Sequence, residues 1–182
     1  MAKRSKLQIP ARAGEAREIN YGAAPRPDFG PLARDRIPVR ALQRGDLHAI
    51  VAIDRRITGR NRADYFERKL EEALVESDMR VSLVAERDGV PAGFIMARVD
   101  FGEFGRVDPV AVIDTIGVDP DYRNQGVGRA LLSQLLVNLA TLRVERVRTE
   151  LAWDDRDLLT FLDHCGFRPA QRLCFDRVIP PA

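Results

Sequence analysis

The fold of this chain is decided by residues 114–132, which read DTIGVDPDYRNQGVGRALL. The stretch begins as an apolar strand, passes through a proline turn and continues at once into a helix. A glycine-rich turn that opens a helix leaves several backbone N–H groups without partners, and the helix dipole adds positive potential at the same end. Gly126 and Gly128 also permit positive φ and the close approach of a ligand. The stretch therefore predicts a phosphate or pyrophosphate site at the start of this helix.

The spacing within the turn separates it from other phosphate-binding motifs. A P-loop does not fit because no Gly-Lys-Ser/Thr follows, and a dinucleotide fingerprint does not fit because it needs Gly-x-Gly-x-x-Gly. The order Arg-x-x-Gly-x-Gly from Arg123 to Gly128, after Val-Asp-Pro and before Ala-Leu-Leu, resembles the acetyl-CoA signature of the GCN5-related N-acetyltransferase (GNAT) superfamily. The competing interpretation is a helix start whose glycines serve only the turn.

Composition and charge exclude several classes of protein. A length of 182 residues, with 45% hydrophobic and 31% charged residues, suits one soluble globular domain. A net charge of +2 gives no strong field toward nucleic acid or membrane, and no apolar run approaches the length of a membrane span. The charged N-terminus is not followed by an apolar segment, so a signal peptide is not predicted. Cys165 and Cys174 lack metal-ligand spacing and are expected to be free thiols in a reducing cytoplasm, without a metal site.

The first 36 residues differ in composition from the rest. They carry eight Lys/Arg against four Asp/Glu, contain four prolines and show no periodicity, so we predict an extended or disordered N-terminal arm at residues 1–36. This arm is long enough to wrap a partner subunit. It could also bind nucleic acid, but it has no series of aromatic residues on which bases could stack. Residues 37–182 are predicted to form the single folded domain.

Hydrophobic periodicity predicts a regular succession of elements in residues 37–182. A strand is followed by two helices, three strands, a helix, a strand, a helix and two strands, which implies one mixed α/β sheet with helices on both faces. Asp46 is expected to cap the first helix, a basic connector at residues 54–62 to lead to the second, and Asp88-Gly89 to form a hairpin turn. The predicted strands are residues 37–42, 81–86, 92–101, 110–118, 144–151, 167–170 and 173–179, and the predicted helices begin near residues 46, 62, 127 and 155.

The GNAT resemblance covers about residues 37–179 and implies a more specific fold. In that family the sheet is mostly antiparallel, and two neighbouring parallel strands splay apart at their C-terminal ends to hold acetyl-CoA; the corresponding strands here are residues 110–118 and 144–151. Physical chemistry agrees, because amides add to a strand edge and a dianion favours a helix N-terminus. The implied contacts are Ile116, Gly117 and Val118 for pantetheine, and Arg123, Asn124, Gln125, Gly126, Val127, Gly128 and Arg129 for the pyrophosphate.

The last predicted helix departs from the family pattern at two positions. The resemblance places Asp155 where an Asn often contacts the cofactor, although a carboxylate is unfavourable beside phosphates and Asp is also a good helix N-cap. Leu162 stands where many members carry the Tyr that protonates the leaving thiolate. Another group or water must then supply that proton.

Two acidic residues are candidates for the base that removes a proton from the acceptor amine. Asp114 follows the strand alternation of four apolar residues, Val110, Val112, Ile116 and Val118. The alternative role for Asp114 is a structural ion pair with Arg98. Glu150 lies near the end of the next strand, where by resemblance the bacterial ribosomal-protein N-terminal acetyltransferases carry their catalytic Glu, and its alternative is an exposed strand acid.

We therefore predict an acetyl-CoA-dependent N-acetyltransferase that uses no metal and acts on the primary amine of a small molecule or a protein N-terminus. The arginines of the connector suggest an acidic acceptor, whereas Asp100 and Glu103 suggest a cationic one, so the sequence leaves the acceptor open. One alternative is a non-catalytic acyl-CoA-binding sensor or interaction module of the same fold, which the missing Tyr favours. Another is a nucleic-acid-associated protein that uses the basic arm. A homodimer is expected, because many relatives dimerise.

Overall fold

Five strands form a single sheet in the computed structural model, which describes residues 37–76, 81–101, 108–170 and 175–179. Neighbouring strands are antiparallel except the fourth and fifth, which are parallel. The mixed, mostly antiparallel sheet with one parallel pair is therefore confirmed. In spatial order, which is also chain order, the strands are β1 (Val39–Ala41), β2 (Leu83–Arg87), β3 (Val90–Asp100), β4 (Val110–Val118) and β5 (Arg146–Thr149).

Helices cover both faces of this sheet, as predicted. They are α1 (Leu47–Thr58), α2 (Ala63–Glu71), α3 (Val127–Thr141) and α4 (Arg156–His164). One core lies under α3 and includes Ile95, Ala97 and Ile113, whereas a second core under α1 and α2 is built around Phe66 and Phe94. In each core an apolar helical stripe packs against alternate strand residues, which is the pairing that the two periodicities require.

The hairpin between β2 and β3 turns where the sequence predicts it. Asp88 and Gly89 have φ angles of 52° and 77°. Two successive positive φ angles are typical of the type I′ turn, which matches the right-handed twist of the flanking strands. The predicted Asp-Gly turn is confirmed.

A β-bulge interrupts the pairing of β3 with β4. Met96 pairs with Thr115 and Ala97 pairs with Ile113, so Asp114 is an extra residue between two ladder positions. A bulge breaks the two-residue alternation of a strand, and the side chains beyond it change faces relative to those before it. The faces of β4 therefore cannot be assigned by counting alternate residues through position 114.

Asp114 consequently does not share a face with two of the four apolar residues with which it was predicted to align. Ile116 and Val118 pack toward the core under α3, together with Ile113. Asp114 lies on the opposite face of the sheet, where it contacts Lys69 of α2. The prediction that Asp114 shares a face with Ile116 and Val118 was wrong, because the alternation was counted through the bulge.

The boundaries of α1 also differ from the prediction. Asp46 precedes this helix, but its carboxylate accepts no bond from the N–H groups that open α1; it accepts from Gln43 N at 2.8 Å and pairs with Arg40 at 2.7 Å. At the other end, α1 continues to Thr58 and closes with Gly59, whose φ of 70° suits a left-handed C-cap. The basic connector is therefore residues 59–62, not 54–62, because the arginines in its first half are helical.

The last two predicted strands are not strands in the described residues. Residues 167–170 and 175–179 have no regular secondary structure, while residues 171–174 lie outside the described ranges. Alternation of apolar residues shows only that a segment fits a pleated surface, and a strand forms only where a partner edge receives it. The predicted arm at residues 1–36 and residues 102–107 also lie outside the described residues.

Candidate functional site

β4 and β5 separate part-way along β4. Their parallel pairing ends at Ile113 and Thr149, where Thr149 Oγ1 donates a hydrogen bond of 3.0 Å to Ile113 O. Within the described ranges, the remainder of β4 has no partner on this side. An extended chain of amides can add to such an edge. The unpaired part contains the three residues predicted to face pantetheine, Ile116, Gly117 and Val118.

The turn between β4 and α3 presents a row of backbone N–H groups. Asn124 and Gly126 have left-handed φ angles of 60° and 86°. The first backbone bond into α3 is donated by Ala130 N to Gly126 O at 2.9 Å. The N–H groups of residues 124–129 donate to no acceptor in the part of the chain that the structure describes. Such a row at a helix N-terminus forms an anion-binding concavity.

An arginine from α1 neutralises two acidic side chains of the same turn. Arg56 pairs with Asp119 at 2.5 Å and with Asp121 at 2.9 Å. Its hydrogen bond lowers the pKa of the exposed Asp121 carboxyl. Arg56 thus offsets negative charge close to the row of N–H groups. Sequence analysis missed this role because a pair between residues so far apart in the chain leaves no local signal.

Gly128 lets the start of α3 approach its neighbours closely. A Cβ at this position would lie 3.3 Å from Phe161 Cζ and 3.6 Å from Val118 Cγ2. Arg123 and Arg129, which flank the two glycines of the turn, are both exposed. The structure therefore gathers the predicted turn residues at one helix end, directly after the unpaired edge of β4.

The start of α4 is capped by Asp155. Its carboxylate accepts a hydrogen bond of 3.1 Å from Leu158 N, so the capping role weighed in the sequence analysis is present. A contact between Asp155 and the cofactor remains a prediction. Further along the helix, Leu162 is buried, with 6% exposure. No hydroxyl group therefore stands where many GNAT proteins carry a Tyr.

Asp114 belongs to a chain of ion pairs on the α2 face of the sheet. Its carboxylate pairs with Arg98 and, at 3.5 Å, with Lys69. Lys69 also binds Glu72 at 2.7 Å, and Arg98 binds Asp100 at 3.0 Å. The structural ion pair with Arg98 that sequence analysis set against a catalytic role is thus present.

A cavity of about 310 Å³ lies beside the β4 bulge. Its walls come from the end of α2, from β2 and β3, and from the bulge, and its charged lining residues are Lys69, Glu72, Arg98 and Asp114. Asp114 is the residue after Ile113, the last β4 residue paired with β5. The cavity therefore adjoins the point at which the two strands part.

Glu150 occupies the matching position on the other strand. It follows Thr149 directly, as Asp114 follows Ile113, and Ile113 and Thr149 are the last pair of the parallel ladder. Its side chain is exposed and makes no hydrogen bond or ion pair with another residue of the described ranges. The structure thus brings the two candidate bases to the same point of the splay, one paired and one unpaired.

Several residues predicted to select the acceptor are used inside the fold. Arg62, from the connector, donates through Nε to the buried Asp54 at 2.9 Å, and Arg56 is held by the turn acids. Asp100, predicted to receive a cationic amine, pairs with two arginines, and Glu103 lies outside the described residues. Arg62, Arg56 and Asp100 are therefore already ion-paired within the protein, and a substrate would have to compete with these partners.

Three features would indicate redox, metal or membrane functions: a cysteine thiol, groups of possible metal ligands and helices that could span a membrane. Cys165 is a free thiol, and burial raises its pKa although the nearby Arg129 partly offsets this effect. Among the residues that the structure describes, no three His, Cys, Asp or Glu side chains are grouped as metal ligands would be. The described helices include none with the length and apolarity needed to cross a membrane.

The geometry agrees with a comparison against protein-family models. Residues 47–167 match the Acetyltransferase (GNAT) family. This range runs from the first residue of α1 to beyond the end of α4 and includes the splay and the glycine turn. The chain belongs to this family.

Individual relatives are similar at low identity. A mycothiol acetyltransferase of Propionibacterium freudenreichii is 28% identical over 134 residues, 67% of this chain, and the chain spans only 40% of that protein. The aminoglycoside N-acetyltransferase AAC(6′)-Iy in complex with CoA has a TM-score of 0.66 at 21% identity, over 78% of this chain and 94% of that chain. The ribosomal-protein-S18-alanine N-acetyltransferase of Escherichia coli has a TM-score of 0.61 at 24% identity, over 74% of this chain and 79% of that chain. The two solved structures share the fold.

Proposed function

We propose that this protein is an acetyl-CoA-dependent N-acetyltransferase that acts on the primary amine of a small molecule or a protein N-terminus. The observation that carries the proposal is the row of unpartnered N–H groups at residues 124–129, which opens α3 beside the unpaired edge of β4. A pyrophosphate requires several donors and positive potential, and a chain of amides requires an open strand edge. Both requirements are met by consecutive segments of the chain.

The residues of this chain would hold acetyl-CoA in two parts. Backbone groups of β4 from Ile116 to Val118 would pair with the pantetheine amides. The N–H row would take the pyrophosphate, and Arg123 and Arg129 would add charge-assisted hydrogen bonds. Because pantetheine runs back along β4 from the turn, this placement directs the thioester toward Ile113, where the strands part.

Acetyl transfer forms a C–N bond to the amine and breaks the C–S bond of the thioester, while the amine gives up a proton and the thiolate takes one. We assign the base to Glu150, acting directly or through one water, because its exposed carboxylate has no partner in the described ranges. Asp114 is the second candidate, but it is already held by Lys69 and Arg98. Backbone N–H groups of the splayed strand would stabilise the charge that develops on the thioester oxygen.

One observation favours a second candidate function, a non-catalytic acyl-CoA-binding module of the same fold. Leu162 is buried at the position of the family Tyr, so the thiolate has no side-chain proton donor from that site. Under the enzymatic proposal water supplies this proton. Under the alternative, the protein binds acetyl-CoA and transfers nothing.

Two measurements test these proposals. Saturating acetyl-CoA is expected to raise Tm, because a ligand that binds only the native state stabilises it. A library of primary amines, assayed by release of the free thiol of CoA, is expected to contain at least one substrate. Binding without turnover of any amine would favour the sensor, and no shift in Tm would contradict both functions.

The proposal includes a homodimer in the cytoplasm. Three apolar side chains near the C-terminus, Phe175, Val178 and Ile179, are 85–89% exposed. Exposed apolar groups of this kind mark contact surfaces. Light scattering at micromolar concentration is therefore expected to give twice the chain mass of 20.4 kDa. A monomeric mass under those conditions would exclude the dimer.

A further inference from the structure

We propose that the cavity beside the β4 bulge selects a small zwitterionic acceptor, a primary amine with an acidic group a few bonds away, as in a free amino acid. The inference depends on the proposed N-acetyltransferase function and names its class of acceptor. It follows from the charges of the cavity wall, from the hydrogen-bonding capacity that these charges retain, and from the volume and position of the cavity.

The charges of the wall alternate in sign. Each charged residue pairs with the next in the order Glu72, Lys69, Asp114 and Arg98. The distance is 2.7 Å between Glu72 and Lys69 and 3.5 Å between Lys69 and Asp114. Two cations and two anions give the wall no net charge. A polycation would be repelled by Lys69 and Arg98, and a polyanion by the two carboxylates. A zwitterion meets an opposite charge at each of its ends.

Each charged group retains capacity for a further hydrogen bond. Lys69 has three N–H donors, and its contacts with Glu72 and Asp114 use two of them. Arg98 directs three of its five N–H groups to Asp114 and Asp100 within the described ranges. Glu72 accepts the bond from Lys69 on one oxygen and is half exposed. Both spare donors for an acid and spare acceptors for an ammonium therefore line one cavity.

The size and position of the cavity suit a small acceptor. Its volume of about 310 Å³ lies at the lower end of the range of small-molecule sites, about 300–1,000 Å³. Ala73, Met96 and Val99 give it an apolar part that can receive a short side chain. The π-helical turn Glu72–Glu76, a distortion often found at functional sites, forms one wall. The opposite wall is the bulge at Asp114, so a bound amine would lie next to the splay.

The test compares two matched series of amines in a thiol-release assay with acetyl-CoA and the full chain. One series is the free L-amino acids, and the other is their amides, which keep the amine and the side chain but lose the negative charge. At least one free amino acid is expected to exceed its amide in kcat/KM by about tenfold or more, because the amide offers no carboxylate to the spare N–H donors of Lys69 and Arg98. Amides that match or exceed the free acids throughout would overturn the inference.

Calorimetric titration with acetyl-CoA separates this inference from the proposed function. A protein that does not bind acetyl-CoA fails the proposed function, and the inference fails with it. A protein that binds acetyl-CoA but prefers amides, or turns over neither series, overturns only the zwitterion inference.

Variants of Lys69 test whether the cavity itself makes the selection. Lys69→Met is expected to raise KM for the best free amino acid by about tenfold or more, while KM for the matching amide changes less than about twofold. Lys69→Arg keeps the cation and is expected to restore the preference. Arg44→Met is the matched control, since Arg44 pairs with another α2 carboxylate, Glu71, outside this cavity. Equal losses for acid and amide in Lys69→Met would assign Lys69 a structural role and contradict the inference.

Discussion

At the scale of single residues, Asp114 and Glu150 differ in what surrounds their carboxylates, although each directly follows the last paired residue of its strand. Asp114 is held by Lys69 and Arg98, whereas Glu150 is exposed. A base must be within reach of the amine and free to take up a proton. An ion-paired carboxylate that takes up a proton leaves its cations uncompensated. These surroundings favour Glu150 as the base and Asp114 as a group that orders the sheet and the cavity.

Amide substitutions are expected to separate the two acids. Glu150→Gln should lower kcat/KM by about 100-fold and flatten the acidic limb of the pH–rate profile, with stability changed by less than about 0.5 kcal/mol. Asp114→Asn should lower the free energy of unfolding by about 1 kcal/mol, because it weakens two partly exposed ion pairs, and should affect turnover less. The measurements are kcat/KM against pH and urea unfolding for both variants. Full activity of Glu150→Gln, with an unaltered acidic limb, would remove Glu150 from the mechanism.

Asp46 is expected to make the free energy of unfolding depend on pH in the acidic range. Burial alone would raise the pKa of its carboxyl, but hydrogen bonds from Arg40 and from Gln43 N outweigh burial and hold the pKa below the ordinary 3.8. A carboxyl with a lowered folded-state pKa contributes stability above its unfolded pKa, and this contribution disappears as the pH falls through the folded value. Asp46→Asn should therefore lose about 2 kcal/mol at pH 7, and the deficit should shrink below about pH 4.

Urea unfolding between pH 7 and pH 3 measures this dependence. The control is Asp163→Asn, since Asp163 also pairs with an arginine, Arg168, but both side chains are about two-thirds exposed. A surface pair of this kind contributes little, so the control should stay within about 0.5 kcal/mol of the parent at every pH. A deficit for Asp46→Asn that is constant down to pH 3 would contradict the assigned pKa shift.

At the scale of elements, β4 and the turn into α3 were predictable, and the bulge within β4 was not. β4 is an apolar strand interrupted by Asp114 and Thr115 and followed by a proline turn, and Gly126 and Gly128 mark the helix start, so local sequence determines both elements. The bulge adds one residue to β4 relative to β3, and its position depends on the pairing of two strands. The segments at residues 167–170 and 173–179 were predicted as strands for a similar reason: their composition suits a strand, but composition does not show whether a sheet edge receives them.

The start of α4 gives a prediction about a single cap. Asp155→Ala should lower the free energy of unfolding by about 1 kcal/mol, because Leu158 N loses its acceptor, and Asp155→Ser should restore most of it. If capping is the whole role of Asp155, Kd for acetyl-CoA should change less than about twofold in both variants. Thermal unfolding and calorimetry give the two values. A Kd weakened about tenfold or more in Asp155→Ala, at unchanged stability, would assign Asp155 to the cofactor site.

At the scale of the whole molecule, the order of elements as far as α4 and the sheet class followed from the sequence and the family resemblance, but the charge arrangement did not. The contacts of Asp114 with Lys69 and Arg98, and of Arg56 with Asp119, join segments that are distant in the chain. No local pattern marks such pairs. The connector arginines were therefore predicted to contact the substrate, although Arg56 and Arg62 form ion pairs within the fold. The cavity beside the β4 bulge could not be predicted either, because it forms only where α2, β3 and the bulge meet.

The central claim is that the glycine turn at the start of α3 binds acetyl-CoA, and two matched glycine variants test it. Gly126 and Gly166 both have φ of 86°, so alanine imposes a comparable backbone strain at either position, but only Gly126 lies in the glycine turn at the start of α3. The measurement is calorimetric titration with acetyl-CoA of the parent protein, Gly126→Ala and Gly166→Ala. We expect one site per chain in the parent, affinity weakened about tenfold or more in Gly126→Ala and affinity unchanged in Gly166→Ala. Absence of binding by the parent, or equal affinity in all three proteins, would contradict the account.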